Sequence, residues 1–389
     1  MNNIIQLKKY LDSAVDQYRI LHSYKKEIRY VKLFEDIDIA YITNEFYTVF
    51  VELKGAKFQL KSTNIDFIIK VIKDWTLQHN PLDIFNFYNI NEYPKRCTDK
   101  DKHIFDTFDF HKYKIWLDNL SKNVSENGPQ TFQYYATAEK IQLIFNNNTI
   151  TQYVAHSQML HYDTSNSCFL IRDTDIYIDN QSSETCYNVL DINNDFLFEN
   201  DFNVKINKNI FSDLISSILI DFRGENILYS NSFIKENNFN TPWINKNIDL
   251  WVEPMLIFDA NGNPCKKIQL IKKGNIVSAI NSTLSSIILN SNTPIFDSLY
   301  EENFGNYNKI RCILKATNSN INSVLDIEKI IDTQTTIDNN KLKINALAKI
   351  SYKSHSKIIT ISFYVEDLFN VIKENGEYYY FPNKVFIKK

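Results

Sequence analysis

Residues 255–280 read MLIFDANGNPCKKIQLIKKGNIVSAI, and this stretch carries the clearest local pattern in the chain. Its segment Phe258–Pro264 reads FDANGNP and is rich in residue types that favour tight turns. Two runs with alternating apolar residues follow, Lys266–Ile271 and Ile276–Ile280, and the turn sequence KKGN separates them. Alternation on both sides of a short glycine-containing turn predicts a β-hairpin that is entered through a tight loop.

Glycine is scarce in this chain, with only seven residues among 389, whereas an average protein has about 7%. The codon bias of an AT-rich genome accounts for the low total, because asparagine, isoleucine and lysine are abundant. Three of the seven glycines, Gly224, Gly262 and Gly274, lie between Arg223 and Ile280. We expect these glycines at a positive φ angle or at a close approach between backbones, where other residues do not fit.

The composition excludes several classes of function. Charged residues make up 23% of the chain and the net charge is −3, so no basic surface for nucleic acid is expected. No apolar run reaches the roughly 18 residues of a membrane span, and the opening sequence lacks the apolar core of a signal peptide. The five cysteines form no CxxC pair, which fits reduced thiols. We expect a cytoplasmic protein without nucleic-acid or membrane partners.

The first half of the sequence predicts an α+β domain that spans residues 1–203. Apolar residues between Ile4 and Tyr18 recur with helical spacing, and a second helical stripe follows the N-cap residues Ser62–Asn64. Between these helices the period changes to two and predicts four antiparallel strands: Lys26–Phe34, Asp38–Thr43, Phe46–Leu53 and Ala56–Lys61. The other predicted elements are a connection over residues 79–108, a helix over His111–Val124, and strands over Thr131–Ala136, Ala138–Phe145, Thr149–Ala155, Cys168–Arg172 and Ile176–Ile178.

The second half, residues 204–389, is predicted to be a mixed, β-rich domain. It begins with an apolar helical stripe over Ile210–Phe222. The other helices predicted in this half are Asn281–Leu289, Ser323–Ile331 and Val365–Ile372, and the strands, besides the hairpin, are Ile310–Lys315, Ile344–Tyr352 and Ile358–Tyr364. The sequence therefore predicts two domains of α+β class.

Conventional catalytic and nucleotide-binding motifs are missing from the sequence. It contains no HExxH, HExxxH, GxSxG, GxxxxGK[ST] or GxGxxG pattern. No two of the seven histidines are three or four residues apart, so the spacing of helical metal ligands is also missing. The residues give no metal or catalytic centre by themselves, which leaves residues 223–280 as the most informative stretch.

Five blocks of residues in this stretch carry a family resemblance. They are Gly224, Ser232-Phe233, Glu253-Pro254, Phe258-Asp259-Ala260-Asn261-Gly262-Asn263-Pro264 and Leu270-Ile271-Lys272-Lys273-Gly274. In order and spacing they resemble the C-terminal signature of the TldD/PmbA family, also called TldD/TldE, the metalloproteases once named modulators of DNA gyrase. A further family glycine corresponds to Asn240, which can still adopt the left-handed conformation. The predicted helix–antiparallel sheet–helix opening resembles the first domain of the same family, so the resemblance implies a two-domain TldD/PmbA-like fold.

The departures from the family pattern concern the metal site. In the TldD branch, a helix that precedes the glycine corresponding to Gly224 carries HExxxH. Counting back from this glycine, the two histidines fall on Ile215 and Ile220 and the glutamate falls on Ser216. None of these residues can supply the metal ligands or the carboxylate of that motif, and Cys312 is a poor match to the cysteine ligand of that branch. The pattern resembles the TldE/PmbA branch, whose members lack the metal site.

The resemblance implies a non-catalytic subunit of a heterodimeric metallopeptidase that cleaves unfolded peptides or peptide precursors. A TldD-like partner subunit would hold zinc or a similar metal, whereas this chain would hold no metal, cofactor or catalytic residue. An extended peptide would pair with an exposed strand edge, and the metal-bound water of the partner would attack the scissile carbonyl.

Two other functions stay open at the level of sequence. The chain could be a free-standing peptide-binding or scaffold protein that has kept the fold without a protease partner. It could also be a hydrolase with a rebuilt site, for which Asp221, Glu253, Asp259 and Cys265 are the polar candidates near the signature. Each of these four also has a structural interpretation, and Asp259 is most simply a turn former that binds its own backbone.

Overall fold

The computed structural model divides the chain into two compact units, which are described separately. One comprises Met1–Cys186 together with Leu256–Pro264, and the other comprises Tyr187–Met255 and Cys265–Lys389. The sequence had predicted a division after residue 203, with residues 256–264 in the second domain. The structure describes residues 2–33, 36–78, 83, 85–95, 99–124, 130–145, 148–163, 168–172, 187–188, 201–235, 239–240, 242–243, 248–254, 256–259, 261–280, 308–314, 316, 320–321, 323–339, 341–353 and 355–387.

The first unit is an antiparallel sheet with helices packed on one face. Its elements are α1 (Asn2–Ala14), β1 (Gln17–Leu33), β2 (Asp36–Leu53), β3 (Ala56–Ser62), α2 (Ile65–Gln78), α3 (Asp99–Thr107), α4 (Phe110–Val124), β4 (Gln130–Phe145), β5 (Asn148–Asp163) and β6 (Cys168–Arg172). The strands lie in the order β3-β2-β1-β4-β5-β6. Neighbouring strands in this order are antiparallel.

The helices cover one face of this sheet because the apolar residues of the strands alternate. Ile20 and Ile28 of β1 lie on the same face, since side chains alternate with a period of two. Ile20 packs in a cluster with Leu7 of α1 and Ile68 of α2, and Ile28 packs in a cluster with residues of α3 and α4. Each buried side chain of this kind contributes about 1.5–3 kcal/mol. The predicted order of helix, antiparallel strands and helix at the start of the chain is therefore confirmed.

The strands of the first unit are longer than the sequence predicted. The predicted turn at Asn44–Glu45 is wrong, because β2 passes through it and pairs with β1 without interruption from Asp36 to Glu52. Likewise β4 is one strand where two were predicted, and α3 occupies part of the predicted connection over residues 79–108. Polar residues interrupt the local alternation in β2 and β4. Both strands nevertheless pair with β1, one on each side, and this pairing keeps their backbones extended.

The second unit contains two sheets and short helices. Its elements are β7 (Tyr187–Asn188), β8 (Asn203–Asn207), α5 (Lys208–Ser216), α6 (Gly224–Leu228), β9 (Ile248–Pro254), β10 (Ile268–Lys272), β11 (Asn275–Ile276), β12 (Asn308–Leu314), β13 (Val324–Asp338), β14 (Lys341–Tyr352), β15 (His355–Tyr364), α7 (Val365–Leu368), β16 (Lys373–Asn375) and β17 (Tyr378–Pro382). One sheet has the order β11-β10-β9-β12, and the other has the order β15-β14-β13-β8-β17-β16. The chain is therefore of α+β class, as predicted.

One helix predicted in the second unit is wrong. Ser323–Ile331 was predicted to be helical, but these residues belong to the long strand β13, which pairs with β14. The register of this pair shifts between Ile327 and Lys329 and again between Ile330 and Asp332. Each shift inserts an extra residue and moves the apolar positions from a period of two toward helical spacing, which explains the wrong prediction. The predicted elements Ile176–Ile178 and Asn281–Leu289 lie outside the described residues.

In the described part of the chain, no helix combines the length and the apolar character that crossing a membrane requires.

Candidate functional site

The signature loop, defined as residues 256–264, is folded around a buried aspartate. The Asp259 side chain is 0% exposed, and its carboxylate accepts hydrogen bonds from the backbone N–H groups of Asn261 at 2.9 Å and Asn263 at 2.8 Å. The amide Nδ2 of Asn263 donates to the same carboxylate at 3.0 Å. Asp259 is therefore the turn former that its sequence context indicated, and it satisfies the backbone of its own loop.

Gly262 is required by this loop for two independent reasons. Its φ angle is +74°, in the left-handed region that favours glycine. A Cβ atom added to it would also lie 3.0 Å from Leu143 Cδ1 and 3.2 Å from Arg19 Cδ. The positive φ angle expected for this glycine is confirmed, and the atoms that crowd it belong to side chains rather than to another backbone.

Arg19 of β1 binds the loop through a buried guanidinium group. The side chain is 1% exposed, and its guanidinium lies 4.3 Å from the ring centre of Phe50. Nη1 donates to the carbonyl oxygen of Gly262 at 3.3 Å and to that of Asn86 at 3.0 Å. The hydroxyl of Tyr93 donates to the same Gly262 oxygen at 2.9 Å. Burial lowers the pKa of Arg19, while Tyr93 and Asp259 oppose this change.

Gln152 of β5 holds the other side of the loop. Its side chain is 0% exposed, and Nε2 donates to the carbonyl oxygen of Phe258 at 3.0 Å. Its Oε1 accepts from the backbone N–H groups of Ile257 at 3.0 Å and Phe258 at 3.2 Å. One amide therefore satisfies three backbone groups that would otherwise be buried without partners. Sequence reasoning missed both Gln152 and Arg19, whose only signal was a polar residue among alternating apolar residues.

The residues predicted at the HExxxH positions, Ile215, Ser216 and Ile220, lie at the end of α5 and in the turn that follows it. Ile215 is 0% exposed, whereas Ile220 is 51% exposed, so these two side chains lie in different environments. The α-helix ends at Ser216, and residues 217–222 continue as a 3-10 helix. The hydroxyl of Ser216 donates to the carbonyl oxygen of Asp213 at 2.6 Å. These residues do not fit a zinc ion, because zinc takes imidazole, thiolate and carboxylate ligands.

The remaining signature residues on the C-terminal side of α5 form a second hydrogen-bonded group. The carboxylate of Asp221 accepts from the backbone N–H of Phe233 at 3.0 Å, and the Ser232 hydroxyl donates to the Asp221 carbonyl oxygen at 2.6 Å. Burial raises the pKa of Asp221. Gly224 begins α6, and its N–H donates to the carbonyl oxygen of Ile280 at 2.9 Å. Any residue other than proline can donate this backbone hydrogen bond, so the close approach expected at Gly224 stays a prediction.

The predicted hairpin forms with a two-residue turn. Ile271 pairs with Ile276, and the turn residues Lys273 and Gly274 have φ angles of +49° and +78°. Two successive positive φ angles are typical of the hairpin turn that matches the twist of the strands. Asn240 has a φ angle of +61°, which confirms the left-handed conformation expected there. The second strand is shorter than predicted, because β11 ends at Ile276.

The candidates for a rebuilt hydrolase site have structural roles. Glu253 forms an ion pair with Lys267 at 2.8 Å, and Cys265 is 0% exposed. Pro254 ends β9 opposite Asn308. Among the residues that the structure describes, no group of three or more His, Cys, Asp or Glu residues is arranged to hold a metal ion.

Comparison with known proteins extends the match beyond the signature. Residues 199–304 match the family model described as the PmbA/TldA metallopeptidase C-terminal domain. Over this region the chain is similar to the TldD/PmbA family. The family resemblance stated from the signature residues is therefore confirmed there. No curated protein sequence matches the chain.

Solved structures show that the TldD/PmbA fold extends over nearly the whole chain. A protein described as a modulator of DNA gyrase from Bacteroides thetaiotaomicron has a TM-score of 0.59 and 10% identity, covering 98% of this chain and 97% of its own. TldE from Thermococcus kodakarensis has a TM-score of 0.56 and 11% identity, covering 99% of both chains. A second protein described as a modulator of DNA gyrase, from Thermotoga maritima, has a TM-score of 0.55 and 11% identity, covering 97% and 98%.

Proposed function

We propose that this chain is a non-catalytic TldE/PmbA-like subunit of a heterodimeric metallopeptidase. Its partner is a TldD-like subunit that holds zinc or a similar metal, and its substrates are unfolded peptides or peptide precursors. The observation that carries the proposal is the occupation of the HExxxH positions by Ile215, Ser216 and Ile220 in a chain that keeps five other blocks of the family signature.

The contrast between the loop and the helix supports this proposal. The signature loop keeps the turn chemistry of Asp259, the glycine at Gly262 and a set of buried hydrogen bonds, so the fold is preserved in detail. The positions that correspond to HExxxH, in contrast, hold two isoleucines and a serine. A family member that keeps the scaffold and lacks the ligands fits a structural role beside a metal-bearing subunit.

The experiment that tests the proposal is co-expression with a TldD-like protein from the same source, followed by size exclusion and a peptide-cleavage assay. We expect the two chains to co-elute, unfolded peptides to be cleaved only when both are present, and no stoichiometric zinc in this chain when it is purified alone. Replacing the glutamate of the partner's HExxxH by glutamine should abolish cleavage without affecting co-elution.

A matched variant separates this proposal from a rebuilt active site in this chain. Ser216→Ala removes the hydroxyl at the position of the family glutamate, and it should leave cleavage by the complex unchanged. One equivalent of zinc per isolated chain, or peptide cleavage by the isolated chain that a change at Cys265 abolishes, would contradict the proposal. Failure to bind any TldD-like protein would favour a free-standing peptide-binding protein.

A further inference from the structure

The strand β2 is longer than its neighbour β3, which leaves part of its edge unpaired. β3 pairs with Tyr47–Leu53 of β2, and β1 pairs along the opposite edge of β2 from Asp36 onward. Within the described residues, no strand pairs with the outer edge of residues 36–46. An unpaired edge of this length presents a row of backbone donors and acceptors to another strand.

The contacts at the outer edge of β3, which faces away from β2, show which residues of β2 point their N–H and C=O groups outward. The carbonyl oxygen of Lys57 accepts from Asp83 N at 3.2 Å, and Gln59 N donates to the Asp83 carboxylate at 2.6 Å. The N–H and C=O groups of these odd-numbered residues point away from β2, so those of the even-numbered residues of β3 point toward β2. Their partners in β2 are the odd-numbered residues, such as Val49 and Val51.

This alternation continues along β2, because its register with β1 is uninterrupted. The residues whose N–H and C=O groups point outward from the unpaired edge are Ile37, Ile39, Tyr41, Thr43 and Glu45. Two of their side chains are large, apolar and exposed, with 48% exposure for Ile37 and 41% for Tyr41. Residues 36–46 contain neither the lysine nor the proline that usually protects such an edge.

We propose that this edge pairs with the same edge of a second copy of the chain, antiparallel and centred on Tyr41. A two-fold axis there places Tyr41 opposite Tyr41, Ile39 opposite Thr43 and Ile37 opposite Glu45. Each of the five outward residues then exchanges both backbone hydrogen bonds with the second copy. Aromatic pairs and pairs of β-branched residues are favourable across antiparallel strands.

The charges of the strand favour this register and a second copy as the occupant. The acidic residues Asp36, Asp38 and Glu45 lie toward the two ends of the edge, so the two-fold pairing places each of them opposite an uncharged residue. A parallel pairing in register would instead place like charges side by side, which is destabilising. A slip that centres the axis on Ile39 would leave Thr43 and Glu45 unpaired. The edge is therefore complementary to itself in one register, as a two-fold interface requires.

Cysteine crosslinking tests the register directly. Residues opposite each other in a hydrogen-bonded antiparallel pair have Cα atoms about 5.5 Å apart, within the range that a disulfide spans. We therefore expect Tyr41→Cys to form a covalent dimer under mild oxidation, beyond the background of the unsubstituted chain. The matched control is Thr43→Cys, because the two copies of residue 43 would lie roughly 13 Å apart, too far for a disulfide. A covalent dimer with Thr43→Cys and none with Tyr41→Cys would overturn the register.

A proline variant tests whether the backbone edge itself holds the dimer. Thr43→Pro removes an outward N–H and leaves the hydrogen bonds between β2 and β1 intact, whereas its control Thr43→Ala keeps the N–H. We expect sedimentation equilibrium to give a dimer for the unsubstituted chain and for Thr43→Ala, and a dissociation constant at least tenfold higher for Thr43→Pro. If Thr43→Pro does not fold, Tyr41→Lys replaces it, with Leu77→Lys on the exposed face of α2 as its control.

Two outcomes would overturn the proposal. One is an unsubstituted chain that stays monomeric at concentrations of tens of micromolar in the absence of other proteins. The other is a Thr43→Pro variant that self-associates normally but loses its binding to the TldD-like subunit, which would assign the edge to that subunit. Both readouts are independent of peptide cleavage, so the proposed function can fail while the self-association holds.

Discussion

At the scale of single residues, the loop depends on a glycine that no other residue can replace without strain. Gly262 has a φ angle of +74°, and its missing Cβ leaves room for Leu143 and Arg19. Gly376 offers a matched comparison, because its φ angle is +58° but an added Cβ would meet no atom within 4 Å. Alanine substitutions at the two glycines therefore separate the cost of backbone strain from the cost of crowding.

We expect Gly262→Ala to lower the free energy of unfolding more than Gly376→Ala does. The control variant carries the left-handed strain alone, which costs about 1–2 kcal/mol. Gly262→Ala adds the cost of crowding a packed site, about 1–3 kcal/mol more. Urea denaturation of both variants measures the difference, and equal destabilisation would show that the loop moves to accept the methyl group.

Asp221 is a second residue whose environment has a measurable consequence. Burial raises the pKa of its carboxyl group above the ordinary value of 3.8. A carboxyl group whose folded pKa is raised lowers stability as the pH rises from the ordinary value through the folded one. Below this window the group is protonated in both states and imposes no cost.

We expect Asp221→Asn to remove this part of the pH dependence. The asparagine keeps an oxygen that can accept from the N–H of Phe233 and carries no charge to bury. Its free energy of unfolding at neutral pH should equal or exceed that of the unsubstituted chain, and the two should converge under acidic conditions. Urea titrations at several pH values check this, and a variant that is less stable at neutral pH would contradict it.

At the scale of elements, the end of α5 determines whether a metal site could be restored by substitution. Ile215 is buried in the core, Ile220 is half exposed, and a 3-10 helix begins between them at Ser217. The family ligands would have to point at one ion. Changing the residue types therefore does not by itself recreate the geometry.

We expect the triple variant I215H/S216E/I220H to bind no stoichiometric zinc. Ile215→His alone should lower the free energy of unfolding by about 2–5 kcal/mol, because a polar ring replaces a buried aliphatic side chain. Ile220→His should change it by less than about 0.5 kcal/mol, since that side chain is half exposed. Elemental analysis and thermal unfolding check both parts. Tight zinc binding by the triple variant would show that the helix readjusts.

The elements also show where sequence patterns were sufficient and where they were not. The hairpin turn at Lys273–Gly274 was predictable because its geometry depends on a few adjacent residues. The N-cap of α2 was predictable for the same reason, since Asn64 accepts from the N–H of Phe67 at 3.0 Å. Strand β13 was not predictable in this way, because the positions of its bulges are set by its pairing with β14.

At the scale of the whole molecule, the chain is not divided into two consecutive domains. It leaves β9, contributes residues 256–264 to the first unit, and continues into β10. The first unit is therefore incomplete without a segment that lies far along the chain. Its buried polar groups at Arg19 and Gln152 have partners in that segment.

We expect a fragment of residues 1–203 to be much less stable than the same region in the full chain. Without the signature loop, the side chain of Gln152 loses three hydrogen bonds and Arg19 loses its contact with Gly262, and each buried group without a partner costs about 1–3 kcal/mol. A synthetic peptide of residues 254–266 should raise the melting temperature of the fragment. A fragment as stable as the full chain would contradict this account.

The sequence by itself indicated the family resemblance, the turn chemistry of the signature loop, the hairpin and the absence of an HExxxH motif. Each of these depends on residue identity or on hydrogen bonds between neighbours, such as those of Asp259 to Asn261 and Asn263. Only the tertiary structure decided which unit receives the loop, because the contacts that hold it join residues 243 and 106 positions apart. Local sequence patterns do not indicate contacts between residues so far apart. The partners of Arg19 and Gln152 are known only from the folded chain.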